Sequence, residues 1–194
     1  MEAVIEIGST GLRLLVAEVT ADGKKNILDR AEMTVSVGQD VFTGGIIKRE
    51  TQTQCLHILQ RFKEQLAGWG IEPNKTTVVA TSAFREAKNR DPVIDKIRAA
   101  TGFRVTVIDG IEENRLMYVA VTECLKDETA RVRAGNTVIL EVGGGSTEMM
   151  LMKKGKMAGA HSLRLGTVRF ATGMRLSGFD DIQRFIEEFI QNTK

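Results

Sequence analysis

The amino-acid sequence predicts an α/β fold, on two observations. β-rich runs alternate with segments of helical periodicity, and the order strand, glycine turn, strand, turn, strand, helix occurs twice. The copies begin about 135 residues apart, at Ile5–Thr10 and Leu140–Thr147. A repeat of this kind indicates two similar lobes, and we expect the first to be complete in 1–125 and the second, 126–194, to be partial.

The first lobe opens with three predicted strands. Residues 2–8 and 11–19 are β-rich, and the Ala21–Lys24 segment between the second and third strands is a turn signal. Alternation then continues over 26–37. One face of this third strand carries Ile27, Asp29, Ala31, Met33, Val35 and Val37. The three strands together predict an antiparallel meander.

The rest of the first lobe alternates helices with short buried strands. Apolar spacing predicts helices at 50–68, 91–101 and 111–125 and strands at 76–80 and 104–108. We expect the 91–101 helix to begin with Asp91 as its N-cap and Pro92 at its first helical position.

The second lobe repeats the opening pattern. It has predicted strands at 137–142, 146–152 and 157–163, joined by the Gly143–Gly145 turn and the basic Lys153–Lys156 hairpin tip, which we expect to be solvated. A further helix is predicted at 179–191. Its apolar face carries Phe179, Ile182, Phe185, Ile186, Phe189 and Ile190. That face needs a partner, and a second copy of the chain could supply it.

Composition excludes several classes of protein. Among 194 residues, 27 Lys and Arg balance 25 Asp and Glu, so the net charge of +2 gives no argument for a nucleic-acid or membrane partner. The N-terminus lacks the basic and apolar regions of a secretory signal, and no apolar run approaches the roughly 20 residues that span a bilayer. The two cysteines, Cys55 and Cys124, lie in predicted helices. We expect a cytoplasmic protein in which both are buried, unreactive thiols.

Two glycine-rich turns carry the first candidate chemistry. Glu6 and Glu141 each end a strand, and each is followed by a turn whose backbone amides could converge on an anion. Hydroxyl donors are available from Ser9, Thr10, Ser146 and Thr147. A single turn of this type is more often only a hairpin, but two copies with an acid at the same offset favour phosphate binding.

Three further positions could act with these turns. Glu148 lies on the Ser146 strand face and is either a metal-binding carboxylate or a solvated strand glutamate. Arg85 follows a buried strand and could clamp a phosphate, or be a surface arginine. Glu112 and Glu113 open a helix, where acids commonly cap, and one of them could be a base if it faces a cleft. Spacing does not decide between these alternatives.

Several common sites are excluded by their missing motifs. His57 and His161 are isolated in sequence and form no Cys/His cluster, so zinc is unsupported. The sequence contains neither a Gly-x-x-x-x-Gly-Lys-Ser/Thr phosphate loop nor a Gly-x-Ser-x-Gly nucleophile elbow.

Five ordered segments resemble one known family. They are Ile5–Val16, Thr81–Arg90, Val107–Leu116, Glu141–Glu148 and Ser162–Arg169. In order and spacing they are similar to the exopolyphosphatase and guanosine pentaphosphate phosphohydrolase (Ppx/GppA) family, and the resemblance covers nearly the whole chain.

The resemblance implies a fold and an activity. The fold would be that of the actin-like ATPases and sugar kinases, in which two ribonuclease-H-like lobes, each a mixed sheet flanked by helices, enclose a cleft. The activity would be Mg²⁺-assisted hydrolysis of the terminal phosphoanhydride of polyphosphate or guanosine pentaphosphate. The alternative is a phosphate- or nucleotide-binding relative, or a fragment, without activity.

The resemblance also implies roles for individual residues. Glu113 would be the base that activates water, and Arg85 would bind the phosphate under attack. Metal-side carboxylates would be Glu141 and Glu148, with Glu6 as a further candidate. The phosphate-binding residues would be Gly8, Ser9, Thr10, Arg13, Gly143, Gly144, Gly145 and Ser146.

The chain departs from the family pattern at several positions. Glu6 and Glu141 replace the usual Asp, which adds roughly 1.5 Å of reach to each carboxylate and implies either an adjusted site or relaxed metal binding. Gly8–Gly11 reads Gly-Ser-Thr-Gly instead of Gly-Ser-Asn-Ser, and Asn114 replaces Ala. The chain is also short for the family, which predicts either a fragment or an abbreviated relative.

Overall fold

A computed structural model describes residues 1–125 and 135–173, and these contain eight β-strands and six α-helices. The strands are β1 (Glu2–Ile7), β2 (Gly11–Val19), β3 (Lys25–Thr34), β4 (Thr76–Ala80), β5 (Val105–Val107), β6 (Asn136–Val142), β7 (Thr147–Lys153) and β8 (Lys156–Leu163). The helices are α1 (Val37–Gly44), α2 (Arg49–Gly68), α3 (Ser82–Glu86), α4 (Arg90–Thr101), α5 (Gly110–Cys124) and α6 (Thr167–Gly173).

The strands form two sheets. The larger has the order β3-β2-β1-β4-β5, with β1, β2 and β3 antiparallel and with β4 and β5 parallel to β1. This mixed sheet with flanking helices has the ribonuclease-H-like strand order, so the predicted α/β class is confirmed. The smaller sheet, β6-β7-β8, is antiparallel throughout.

The main core lies on one face of the larger sheet. Alternate residues of β1, namely Ala3, Ile5 and Ile7, are buried there because side chains of a strand point to opposite faces in turn. Helix α2 covers this face with residues spaced three or four apart. They are Thr51, Cys55, Ile58, Leu59, Phe62 and Leu66. The buried residues of β1 and the apolar residues of this helix stripe therefore belong to one hydrophobic cluster, as the strand and helix periodicities in the sequence indicate.

The sequence prediction gave no bounds for three short helices, α1, α3 and α6. The strand expected over 26–37 ends at Thr34, and Val37 instead begins α1. The chain turns here because the amides of Val35 and Gly38 donate to the carbonyl oxygens of Thr10 and Ser9, in the glycine-rich turn after β1. α3 also escaped prediction, since its 5 residues are too few to show a helical period.

The expected cap of α4 was also wrong. This helix begins at Arg90, so Asp91 lies within its first turn and Asn89 occupies the N-cap position. Asn89 does not cap the helix with its side chain, because its amide group exchanges two hydrogen bonds of 2.9 Å with the backbone of Ile47.

The two cysteines have different environments. Cys55 is buried. Its burial and, to a smaller extent, the negative charge of Asp40 raise the pKa of its thiol to about 12, so the thiol is unreactive as expected. Cys124 is exposed, which contradicts the prediction, because α5 buries only Asn114 and Met117 and its last turn remains in solvent. The helix predicted at 179–191 lies outside the described residues. Across the part of the chain that the structure describes, no helix has the length and apolar character needed to cross a bilayer.

Candidate active site

Three strand ends at one edge of the larger sheet position the site. β1, β4 and β5 run parallel, and their last residues Ile7, Ala80 and Val107 lie side by side. The chain therefore leaves all three strands at the same edge, into the turn after Ile7, into α3 and into α5. Ligands of open α/β sheets characteristically bind at this carboxyl edge.

The two glycine-rich turns, here called the first turn (8–11) and the second turn (143–146), have the same internal hydrogen bond, as their repeated sequence indicates. Gly8 N donates to Gly11 O at 2.9 Å, and Gly143 N donates to Ser146 O at 2.9 Å. Among the described residues, the amides of Ser9, Thr10, Gly144 and Gly145 have no acceptor. Each turn thus presents two free N–H groups, which is the arrangement that binds anions.

Both turns border a cavity of about 340 Å³, here called the first cavity. It is lined by Glu6, Gly8, Ser9, Thr10, Arg13, Thr81, Ser82, Glu113, Glu141, Val142, Gly143, Gly144, Gly145, Ser146, Glu148 and Thr167. Every residue to which the family resemblance assigns a role borders it except Arg85, which contacts the cavity-lining Glu113 instead. The candidate hydroxyl donor Thr147 and the candidate base Glu112 do not border it.

Some residues of this lining, Ser82 and Thr167 among them, were not candidates from the sequence. Ser82 is 4% exposed, and its Oγ lies 2.9 Å from Ser9 Oγ, which ties the start of α3 to the first turn. Its position directly after a strand parallel to β1 was a usable signal. Thr167, which begins α6, carried no such signal, because only tertiary packing brings its amide to Gly143 O.

The two hairpins differ in charge at equivalent positions. Glu6 lies opposite Arg13 across β1 and β2, and Arg13 Nη1 donates to Glu6 Oε2 at 3.0 Å. In the second hairpin Glu141 lies opposite Glu148, so two carboxylates face each other across β6 and β7. Glu148 is 3% exposed and accepts a 3.0 Å hydrogen bond from Ser162 Oγ, so it is not a solvated strand glutamate.

The structure distinguishes the two acids at the start of α5. Glu112 accepts two 2.7 Å bonds from Arg115 on the outer side of the helix. Glu113 borders the first cavity and forms an ion pair with Arg85, whose Nη1 also donates to Ile108 O. Burial raises the pKa of the Glu113 carboxyl; Arg85 opposes this and the charges of Glu148 and Glu141 add to it. A raised pKa brings a carboxylate closer to the strength useful in a general base.

The same carboxylates supply the donor set for a hard cation. Burial is the main cause that raises the pKa of Glu141, and the negative charges of Glu148 and Glu6 raise it further. The positive charge of Arg13 lowers this pKa, but by a smaller amount. Within residues 1–125 and 135–173 no three carboxylate, imidazole or thiol groups lie together as a ready-made metal site. Mg²⁺ usually binds through one or two carboxylates, with water and phosphate oxygens completing its shell, so the Glu141 and Glu148 oxygens fit that ion.

One arginine, absent from the sequence-based candidates, joins the second turn to α1 and α3. Arg169 Nε donates to Gly145 O at 2.8 Å, and its guanidinium lies 4.0 Å from the ring centroid of Phe42. Arg169 also donates to Glu86, as does Arg164 at 2.6 Å. Glu86 directly follows Arg85, so α3 contacts both Glu113 and the second turn.

The Glu86 contacts predict a pH-dependent contribution to stability. Burial raises the pKa of Glu86, but hydrogen bonds from Arg169 and Arg164 outweigh it and hold the pKa below its ordinary value. Because the folded-state pKa is lowered, the stabilisation is present above the unfolded pKa and is lost as pH falls through the folded one. We expect Glu86→Gln to lower the free energy of unfolding by about 1 kcal/mol at pH 7 and by less at an acidic pH below the ordinary glutamate pKa.

Urea denaturation at the two pH values measures this difference. The control is Glu64→Gln, which changes an exposed glutamate of α2 and should have little effect at either pH. An equal loss for Glu86→Gln at both pH values would contradict the ionic origin of the effect.

Comparison with known proteins agrees with the family resemblance. The family model described as "Ppx/GppA phosphatase family" matches residues 15–191. A bifunctional 3-dehydroquinate synthase/phosphatase of Fusobacterium nucleatum is 32% identical over 87% of this chain and 26% of its own length. A putative exopolyphosphatase of Haemophilus influenzae is 26% identical over 94% of this chain and 54% of its own length.

A solved structure supports the same relationship. The crystal structure of the Aquifex aeolicus Ppx/GppA family member aligns with a TM-score of 0.73 and 30% identity over 95% of this chain and 58% of its own. The chain thus spans about half, or less, of the length of the curated relatives it matches. From the family model and the fold together, the chain belongs to the Ppx/GppA phosphatase family.

Proposed function

We propose that this chain carries the catalytic site of a phosphoanhydride hydrolase that acts on the terminal phosphate of inorganic polyphosphate or guanosine pentaphosphate. The proposal rests on one observation above all. Glu113, a half-buried carboxylate with a raised pKa, borders the same cavity as two turns with free backbone amides. A base and an anion cradle in one cavity are the parts that hydrolysis of a phosphate ester or anhydride needs.

The proposed mechanism assigns one task to each group. The free amides of Ser9, Thr10, Gly144 and Gly145 donate to the oxygens of the bound phosphate. Glu113 takes the proton of a water molecule as that water attacks phosphorus in line with the leaving oxygen. Arg85 orients the Glu113 carboxylate through their ion pair and contributes positive charge near the phosphate. Positioning and electrostatics supply most of the acceleration in phosphoryl transfer.

A divalent cation, Mg²⁺ in our proposal, would be held by Glu141 and Glu148, with Glu6 as a further ligand. When bound, it would neutralise negative charge on the phosphate oxygens. Glu6 already pairs with Arg13, so we rank it below the other two carboxylates. We also propose that the two sheets belong to two lobes, 1–125 and 126–194, with the first cavity between them. A cytoplasmic location fits the two free cysteines, Cys55 and Cys124.

Phosphate release tests the function. We expect the 194-residue chain to release orthophosphate from polyphosphate or guanosine pentaphosphate with Mg²⁺ present, and a chelator to lower the rate by more than about 100-fold. Colorimetric phosphate determination measures both. Assaying the two substrates side by side identifies the preferred one, and release that is indifferent to chelation would contradict the metal assignment.

A second candidate is a phosphate-binding protein without turnover. It is favoured by the Glu6–Arg13 pair, which occupies one potential metal ligand with a cation. Calorimetric binding of polyphosphate with no phosphate release would support this alternative. Absence of both binding and release would contradict both functions.

A further inference from the structure

A second cavity, of about 330 Å³, lies beside the first and has the opposite charge. The two cavities share a wall formed by Ser82, Gly145 and Ser146. Three arginines, Arg85, Arg164 and Arg169, border the second cavity, and Glu86 is the only acidic residue among its described lining residues. The described lining of the first cavity contains four glutamates and a single arginine. The first cavity therefore carries an excess of negative side-chain charge, which a bound cation would neutralise, whereas the second carries an excess of positive charge that attracts an anion.

The arginines of the second cavity have unused hydrogen-bond donors. Arg85 uses only Nη1, for Glu113 and Ile108 O, so its Nε and Nη2 have no acceptor among the described residues. Arg164 uses only Nη2, for Glu86, which leaves Nε and Nη1 without an acceptor there. Arg85 is also mostly buried, with 22% of its side chain exposed. A half-buried guanidinium with free donors favours a charged acceptor such as a phosphate oxygen.

The size of the cavity and the polar groups in it suit a small oxyanion. Its volume equals that of roughly ten waters at about 30 Å³ each, which leaves room for one phosphate and several waters. Hydroxyl groups of Ser82, Ser146 and Ser162 also border it. The guanidiniums approach from α3 and from the loop after β8, so an anion between them would be held from two sides.

We infer that the second cavity binds orthophosphate, the tetrahedral anion that phosphoanhydride hydrolysis releases, through Arg85 and Arg164. The identity of the anion rests on the proposed function, whereas the site itself rests on the charges and free donors. An orthophosphate dianion released beside the four glutamates of the first cavity would be close to the three arginines of the second, because the two cavities share a wall.

Calorimetric titration of the full chain with orthophosphate, without divalent cation, tests the site. Arg164 is suited to substitution because 73% of its side chain is exposed and Glu86 keeps Arg169 as a partner. We expect Arg164→Gln to weaken orthophosphate binding about tenfold, as loss of a charge-assisted hydrogen bond predicts. The matched control, Arg115→Gln, removes an exposed arginine that borders neither cavity and should leave the affinity unchanged.

The outcomes separate the site from its alternatives. Arg164→Lys, which keeps the charge, should restore part of the affinity, and thermal melting checks that each variant is folded. Unchanged orthophosphate affinity in Arg164→Gln would overturn the inference. If that variant instead loses affinity only for tripolyphosphate, the cavity holds an internal phosphate of the substrate and the orthophosphate assignment is wrong. Because binding is measured without turnover, a chain that binds orthophosphate here but hydrolyses nothing contradicts the proposed function alone.

Discussion

Glu113→Gln is expected to lower the rate of phosphate release by at least about 100-fold, the lower end of what a general base contributes. The amide matches the carboxylate in size but cannot take a proton from water. It can still accept a hydrogen bond from Arg85, so we expect the variant to fold and to bind substrate. The loss should therefore appear in kcat, with KM changed little, when initial rates of release are measured over a range of substrate concentrations.

The adjacent residue provides the control for this substitution. Glu112→Gln makes the same chemical change one position earlier, on a side chain that pairs with Arg115 away from the cavity. We expect it to keep the activity of the original chain. Equal losses in the two variants would point to damage at the start of α5 and would contradict the assignment of Glu113 as base.

The pH profile gives an independent check on Glu113. Burial and the neighbouring carboxylates raise its pKa above the ordinary value for glutamate. Since only the ionised form accepts a proton, activity should fall on acidification with a midpoint above the ordinary glutamate value. This acidic limb should be measured as kcat/KM, which reports groups of the free enzyme.

The long helices and the short buried strands β4 and β5 were predictable from the sequence, whereas the short helices were not. α2 extends over 20 residues and buries a regular stripe, so its bounds agree with the prediction to one residue. α1 and α3, with 8 and 5 residues, are too short for a stripe to stand out. Both are held by contacts from elsewhere in the chain, such as the bond between Gly38 N and Ser9 O. Such contacts are invisible to local pattern analysis.

The candidate site divides in the same way. The two turns and their acids were found because each is a local pattern and the pattern occurs twice. The choice between Glu112 and Glu113 needed the structure, since it depends on which side of α5 faces Arg85. Arg169 was missed because its partner Glu86 lies 83 residues away in sequence. No spacing rule links residues at that distance.

Repetition with divergence accounts for the charge of the first cavity. The two hairpins share their turn geometry, but the position opposite the first acid is Arg13 in one and Glu148 in the other. Like charges opposite each other in a sheet are destabilising unless something compensates them. The Glu141–Glu148 pair is thus expected to be less stabilising than the equivalent Glu6–Arg13 pair, and local destabilisation of this kind is typical of a functional site.

The close contact between the second turn and the loop before α6 is where we expect a substitution to have the largest effect on the free energy of unfolding. A Cβ atom on Gly166 would lie 2.5 Å from the carbonyl carbon and oxygen of Gly144 and 2.5 Å from the carbonyl carbon of Gly145. These are backbone atoms, so no rotamer change relieves the overlap. We expect Gly166→Ala to lower the free energy of unfolding by about 3 kcal/mol, the upper end of ordinary overpacking.

The same substitution should also impair the site. The amides of Val168 and Arg169 donate to Gly144 O, so the loop cannot move away without loosening the turn that carries two of the four free amides. Urea denaturation measures the stability loss, with Gly159→Ala as control, because a Cβ there has no neighbour within 4 Å. The control should change stability by less than about 0.5 kcal/mol. Equal urea midpoints for the two variants would mean that the turn and the loop are not in close contact, and the first cavity would then lack one of its fixed walls.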